Sequence, residues 1–398
     1  MRILIMKGQS QYGGTRLFAD LAAQAFARRG AQVEVMDLGT GEQAGMSAGA
    51  MVLAHAPGPA PYDFIFTINI AGEFCDSQGR NLRKLYGCPH VVWHTDYVLR
   101  QAERLRGTPK DTAVLVVDPT QIDAVHAVHG ADRFDHIAFF PHPAVGEPAP
   151  DDATVDEFIA RRPIQVLWSG GFQKPEVVWK DVVGPARQLL QDAMDLALSV
   201  EWMPPHEALG AVMASRGLDL MAPEIRQARE AAALVDVEVR MTRRFEFIKA
   251  LAKTGLPIHI VGAGWEGQLY RFKTATFEGP VEMTRMVDLM RQSRVVLNTN
   301  GNFGAGSHER PFSASLAGAA TFSDFSRYYG QVFEPGTNLE TFHWQDLAGG
   351  MDRLITLTGD PERAFGMARA AKALTLAGHT WDRRIDLILE AAAAVRKI

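Results

Sequence analysis

Short apolar runs, none with the strict apolar–polar alternation of a half-exposed strand, recur along this chain with helical stretches between them. They fall at Arg2–Met6, Val33–Leu38, Phe64–Ile68, Val91–His94, Ala113–Val117 and Ile137–Phe140, then at Ile164–Trp168, Ile258–Val261, Val295–Leu297 and Ala319–Phe322. Strands that read as continuous hydrophobic runs belong to parallel sheets covered by helices on both faces. Between the first two runs, Leu17, Phe18, Leu21, Ala25 and Phe26 mark one face of a helix that stops at Gly30. A chain of 398 residues has room for two domains, each burying its own core. The expected architecture is α/β: two Rossmann-like domains facing across a cleft. The first spans residues 1–150 and the second 151–378, the latter with a helical insertion near 175–240. Residues 379–398 form a final helix. The proline-rich, acidic segment GEPAPDDATVD, Gly146–Asp156, suits an interdomain linker.

Composition narrows the function classes. Hydrophobic residues make up 47% and charged residues 22% of the chain, ordinary values for a globular protein. A formal net charge of −5 argues against general nucleic-acid binding, which needs a basic face. Cys75 and Cys88 form no CxxC pair, so neither a disulfide framework nor a zinc site is expected. MRILIM runs straight into Lys7 and Gly8 without the long apolar core of a signal peptide. No stretch is apolar for long enough to span a bilayer. A cytoplasmic protein without a transmembrane segment is the expectation.

The segment after Ser293 carries the strongest chemical signal. Val295–Leu297 empties into a polar, glycine-rich loop, Asn298–Ser307, and a short amphipathic helix then starts near His308–Arg310 and stops at Gly318. A glycine loop at a helix N-terminus is a site for an anion, because backbone N–H groups and the helix dipole both favour negative charge. Arg310 adds an always-charged fork suited to phosphate oxygens. Asn300 and Gly301 belong to the same loop, and His308 stands beside Arg310. A nucleotide-diphosphate ligand in the second half of the molecule follows as an expectation. Two further glycine turns follow strands there: Ser169-Gly170-Gly171 with Lys174, and Gly262-Ala263-Gly264-Trp265. Trp265 either stacks on a base or sugar or belongs to the core.

Several pieces, in order, resemble the GT-B glycosyltransferases and, within them, the CgeB-like spore-maturation group. They are RRFEFIKAL and PIHIVGAGW between Arg243 and Trp265, SRVVLNTN from Ser293, ERPFSASLAGAATFSDF from Glu309, VFEPGTNLETF from Val332 and HTWDRRIDLIL from His379. VVWHTDY from Val91, VLVVDPTQID from Val114 and FFPHP from Phe139 are similar more loosely. The resemblance implies a transferase that moves a sugar from a nucleotide-diphosphate sugar to an unidentified acceptor, which could be protein, glycan or small molecule. It implies a donor held mainly by the C-terminal domain as a substrate, no cofactor and no structural metal, and a last helix that crosses back to the first domain. It brings Gly13 and Gly14 against the donor phosphates and acceptor; a tight turn explains them equally well. Arg310 with His308 would neutralise the leaving diphosphate. His94 and Asp96, at a strand end, are candidates to deprotonate or orient the acceptor hydroxyl. Many such enzymes carry an acidic residue where this chain has Ser313, and Glu309, one turn earlier, is a candidate substitute. The departure at Ser313 keeps open a GT-B-shaped protein that binds a nucleotide or glycan without catalysis; a nucleotide-sugar epimerase is a further alternative.

Overall fold

The computed structural model describes residues 1–39, 47–55, 61–70, 74, 78–173, 175 and 178–395. The chain forms two compact units, Met1–Pro141 with Trp381–Ile398, and His142–Thr380. The sheet of the first unit consists of β1 (Arg2–Lys7), β2 (Gln32–Asp37), β3 (Phe64–Ile68), β4 (His90–His94), β5 (Ala113–Val116) and β6 (His136–Phe139). The strand order is β2-β1-β3-β4-β5-β6, and every pairing is parallel. β3, β4 and β5 are buried along their whole length, which is why their sequences show no alternation.

One face of this sheet is organised by Trp93 on β4. Its ring lies 5.5 Å from Phe18 on the Gly14–Arg28 helix, 5.0 Å from Phe140 and 5.8 Å from Trp381. Trp381 opens the last helix, Trp381–Ala394, so the C-terminal helix returns to the first unit. Exposed ion pairs from Arg28 to Asp382 and from Arg29 to Asp386 line its outer side. Surface pairs of that kind add little, and the helix is held mainly by Trp381, Ile385 and Ile388, all buried.

The second unit repeats the scheme with β7 (Ile164–Ser169), β8 (Ile258–Val261), β9 (Ala275–Glu278), β10 (Ser293–Asn298), β11 (Ala320–Asp324) and β12 (Glu340–Phe342). Their order is β12-β11-β10-β7-β8-β9, again all parallel. Counted within the unit this is the doubly wound Rossmann order, whose direction of winding reverses between β7 and β10. Val166 and Trp168 of β7 face a core that includes Phe247, Trp265, Phe322 and Leu354, while Leu167 faces Met290, Val296 and Ala314 on the other side.

Between β7 and β8 the described residues make four α-helices, Gly184–Ser199, Pro205–Ser215, Pro223–Ala228 and Ala232–Lys253, with a 3-10 turn at Arg229–Ala231. The last of these carries Phe247, Ile248 and Leu251 into the sheet core; it is the crossover helix that a parallel β7–β8 connection requires. The inserted material is therefore the helices before it.

The segment read as a linker proves to be part of the second unit. His142 N–H donates to Ser307 Oγ at 3.0 Å, Val145 N–H to Ser313 Oγ at 3.0 Å and Ala149 N–H to the Leu316 carbonyl at 2.9 Å. Asp152 pairs with Arg162, and the Lys372 ammonium donates to Asp151 at 2.6 Å. These bonds tie residues 142–152 to the second sheet's helices, so the unit begins at His142 rather than after residue 150. Proline and acidic composition signals an irregular segment, which here is a docked one.

Trp381→Ala should remove about 3–5 kcal/mol of stability and loosen the last helix from the first unit. Denaturant unfolding with hydrogen exchange on 381–394 checks this; a loss under about 1 kcal/mol would show that the helix is held by its surface charges instead.

Candidate functional site

The carboxyl ends of β7 and β10 flank the point where the second sheet reverses its winding, the place where open α/β sheets bind ligands. β10 ends at Asn298, whose Nδ2 donates to Ser323 Oγ on β11 at 2.9 Å. The loop that follows is fixed by its own side chains. Asn300 N–H donates to Asp324 Oδ1 at 2.6 Å, and Asn300 Nδ2 donates to the carbonyl of Phe303 at 2.6 Å and of Gly306 at 3.3 Å. Gly301 sits at φ +67°, a left-handed conformation that favours glycine. Tyr329, fully buried, donates its hydroxyl to Asn300 Oδ1 at 3.0 Å and accepts His308 N–H at 2.9 Å.

The helix Glu309–Leu316 then starts with His308 as its N-cap. Arg310 points back toward the strand: its Nη1 donates to Asn298 Oδ1 at 2.8 Å. Its Nε is sealed from solvent with no hydrogen-bond partner, and no carboxylate of the described residues forms an ion pair with it. Burial depresses its pKa, whereas Glu309, Tyr329 and Asp324 act in the opposite direction; a guanidinium stays charged throughout. Arg310 is thus a cation held at the mouth of the glycine loop by one amide oxygen, with no carboxylate among the described residues in an ion pair with it.

His308 Nδ1 lies within reach of both the Arg310 N–H, at 3.3 Å, and the Glu309 carboxylate. One tautomer cannot serve both. Burial pushes the Glu309 carboxyl up, but His308, Arg310 and His142 together outweigh it and hold the group down at about 2. With Glu309 ionised, the charge-assisted bond from His308 Nδ1–H is the stronger, which leaves the Arg310 amide open at the helix start. Pro311 supplies no N–H, so the side chain of Arg310 carries a larger share of any anion binding than a helix N-terminus alone would suggest. Glu309 itself is engaged by His308. His142 stacks on His308 at 5.7 Å and donates Nδ1–H to the Ser307 carbonyl at 2.8 Å.

Two arginines that the sequence reading passed over stand at the same place. The Ala232–Lys253 helix presents Arg240 and Arg244 one turn apart. A carbon added at Gly301 would lie 3.3 Å from Arg240 Cδ, and Arg244 Nη1 donates to the Gly171 carbonyl at 3.2 Å. One arginine thus borders the loop after β10 and the other the loop after β7. The available signal was the spacing of Arg240 and Arg244 in VRMTRRF, which places both on one helix face.

The remaining expected residues are distributed differently. Gly262 and Gly264 are required by packing between loops: a side-chain carbon at Gly262 would stand 2.5 Å from the Gly170 carbonyl oxygen, and one at Gly264 would stand 2.2 Å from that of Phe172. Gly170 and Phe172 in turn donate to the Val261 and Ala263 carbonyls. Trp265 is wholly buried, packs on Phe172 and Phe272 and donates its indole N–H to the Gly170 carbonyl at 2.9 Å. Its ring belongs to the core and has no face for a base. Ser313 is buried too, with its hydroxyl used between Val145 N–H and the Glu309 carbonyl. Lys174 lies outside the described residues.

In the first unit, Gly13 caps the first helix at φ +69°, and Gly14 has open space around it. His94 is completely buried, and neither ring nitrogen has a partner. Burial, with the Arg104 charge, pulls its pKa down to about 4. A ring sealed in that way offers no lone pair to a substrate hydroxyl, so the strand end is occupied but the imidazole points inward. Asp96, two residues on, is half-exposed.

Comparison with known proteins bears on the fold. A family model described as glycosyl transferase-like matches residues 243–390, which include Arg310 and both flanking strands. No curated protein matches the chain by sequence. Among solved structures, HepE of Anabaena in complex with UDP-glucose is 14% identical, covers 99% of this chain and 100% of its own, and superposes with a TM-score of 0.51. An alpha-glucosyltransferase in complex with UDP and DNA containing an HMU base gives 11% identity, 99% of each chain and a TM-score of 0.58. AviGT4, a glycosyltransferase involved in avilamycin A biosynthesis, gives 12%, 99% of this chain, 97% of its own and 0.52. The fold is GT-B, with two Rossmann-like units. Among the described residues no helix is long and apolar enough to cross a membrane.

The titratable groups give a pH dependence with a definite sign. Burial lowers His142 and His94 to about 4, and His90 and His206 to about 3, from 6.5. Between those values the unfolded chain holds more protons, so stability rises with pH. Asp324 acts oppositely: burial raises it from 3.8 to about 7, and its contribution falls as pH rises through that window. The histidines outnumber it. Acidification from pH 6.5 toward 4.5 should therefore cost at least about 1.4 kcal/mol per pH unit, and Asp324→Asn should steepen the slope. Thermal unfolding across that range checks this; a flat or inverted profile would contradict the burial of these rings.

Proposed function

We propose that this protein is a glycosyltransferase that takes a sugar from a nucleoside-diphosphate sugar bound to the second unit. The observation that carries the proposal is the Arg310 guanidinium, held by Asn298 with its Nε unpartnered and no acid among the described residues in an ion pair with it, at the junction of glycine loop and helix start. Negative charge builds on the diphosphate as the glycosidic bond breaks, and a preorganised cation at that position stabilises the leaving group. Arg240 and Arg244 border the same loops and supply further positive charge. His308, with Nδ1–H turned to Glu309, has Nε2 left to accept from a sugar hydroxyl or, in the imidazolium form, to donate to a phosphate oxygen.

UDP is the first nucleotide to test, because structural neighbours of the same fold hold UDP or UDP-glucose. Metal-independent transfer is part of the proposal: the arginines take the role of diphosphate counter-charge. On the acceptor side Asp96 is the proposed base or orienting group. The proposed acceptors are protein, glycan and small metabolite, and a DNA-acting neighbour adds DNA to the panel. Kinship with the CgeB-like group rests on the ordered pieces from Arg243 to Leu389.

Release of nucleoside diphosphate from a panel of nucleotide sugars tests the reading. Arg310→Ala should lower turnover by on the order of 10²–10³, and Arg310→Lys should recover little of it, since an ammonium lacks the planar fork. A second reading, a binding protein without turnover, is favoured by one fact: Ser313 uses its hydroxyl within the fold. Tight UDP-sugar binding with no diphosphate released from any donor would support that reading over transfer.

A further inference from the structure

The insertion between β7 and β8 meets the glycine loop through the Glu201–Trp202 turn between the Gly184–Ser199 and Pro205–Ser215 helices. Trp202 has φ +66°, one of two non-glycine residues with positive φ among the described residues, the other being Asn69. A bulky side chain in that region is sterically unfavourable and persists only where its surroundings over-determine it; such residues gather at functional sites. The surroundings here are the loop after β10. A side-chain carbon added at Gly304 would stand 2.9 Å from both Cα and Cβ of Trp202, so the two backbones meet with no space for a residue other than glycine.

The turn is anchored on both of its residues. Trp202 Nε1 donates to the Phe325 carbonyl at 3.2 Å, and its ring packs on Phe325 at 5.4 Å and His343 at 5.9 Å. Glu201 accepts the Trp344 N–H at 3.0 Å and pairs with His343 Nδ1 at 3.1 Å. From the other side Arg327 N–H donates to the Gly304 carbonyl at 2.9 Å and Ser326 Oγ to that of Gly306 at 2.8 Å. The loop is therefore gripped between the inserted turn and the start of the Arg327–Val332 helix.

We infer that the Glu201–Trp202 turn is a clamp that sets the loop's conformation for the donor diphosphate, which makes Trp202 a positioning residue. This builds on the transferase reading and adds a role for the insertion. A core-filling tryptophan would lower global stability when removed. A clamp, when removed, frees the loop while leaving the sheet intact.

Trp202→Gly is the informative variant, because glycine accepts the positive φ and only the indole is lost. Hydrogen exchange of amides 300–307 in the nucleotide-free protein should accelerate about tenfold, the effect of one lost hydrogen bond of ordinary net strength, with β7 and β10 unchanged. Trp202→Phe, which keeps a ring on Phe325 but not the Nε1–H donor, should give a smaller acceleration at the same amides. Kd for UDP should weaken by a comparable factor in Trp202→Gly and by less in Trp202→Phe. Unchanged exchange at 300–307 overturns the clamp, as does acceleration spread evenly over the whole unit. If Trp202→Gly does not fold, Gly304→Ala pushes the turn away from the opposite side and is held to the same exchange criterion. Failure of the unaltered protein to bind UDP would count against the transferase reading, while the exchange result still decides the clamp.

Discussion

The bond between Arg310 and Asn298 is the contact on which the site depends. Asn298 closes β10, bonds across to Ser323 on β11 and holds the guanidinium at the mouth of the loop. A charged group taken partly out of water needs compensation, and one amide oxygen supplies only part of it. Glu309 is close enough to favour the charge yet is committed to His308. The fold thus keeps a cation in place with no carboxylate among the described residues in an ion pair with it, the feature on which the proposed donor site rests.

Around that bond the second unit is arranged in concentric support. Asn300, Asp324 and Tyr329 fix the loop from within. His142, Val145 and Ala149 fasten the incoming chain to the loop and the helix behind it. The glycine turns after β7 and β8 lock to each other through backbone contacts too close for any side chain. Much of what looks like ligand-binding glycine is in this sense scaffolding.

Much of this was legible in the sequence. Buried parallel strands announce themselves as apolar runs, which is why the central strands of both sheets were read within a residue or two. The edge strands β9 and β12 were not read: ATFE is polar and exposed, and Glu340–Phe342 is only three residues long. The strand–loop–helix pattern around Arg310 could be read because it is local in the chain. The long-range features could not. Nothing in GAGW says that its tryptophan turns into the core, and nothing in VVWH says that the last ring faces inward. The positions of Arg240 and Arg244 on the crossover helix, and of Trp202 on the insertion, depend on segments packing against loops distant from them in sequence, a relation that periodicity does not encode.

The most direct measurement is a crystal structure of the protein soaked with UDP. Diphosphate oxygens are expected within hydrogen-bond distance of the Arg310 guanidinium, beside the amides at the start of the Glu309–Leu316 helix. Density for the diphosphate elsewhere in the molecule, with Arg310 still bonded to Asn298 alone, would contradict it.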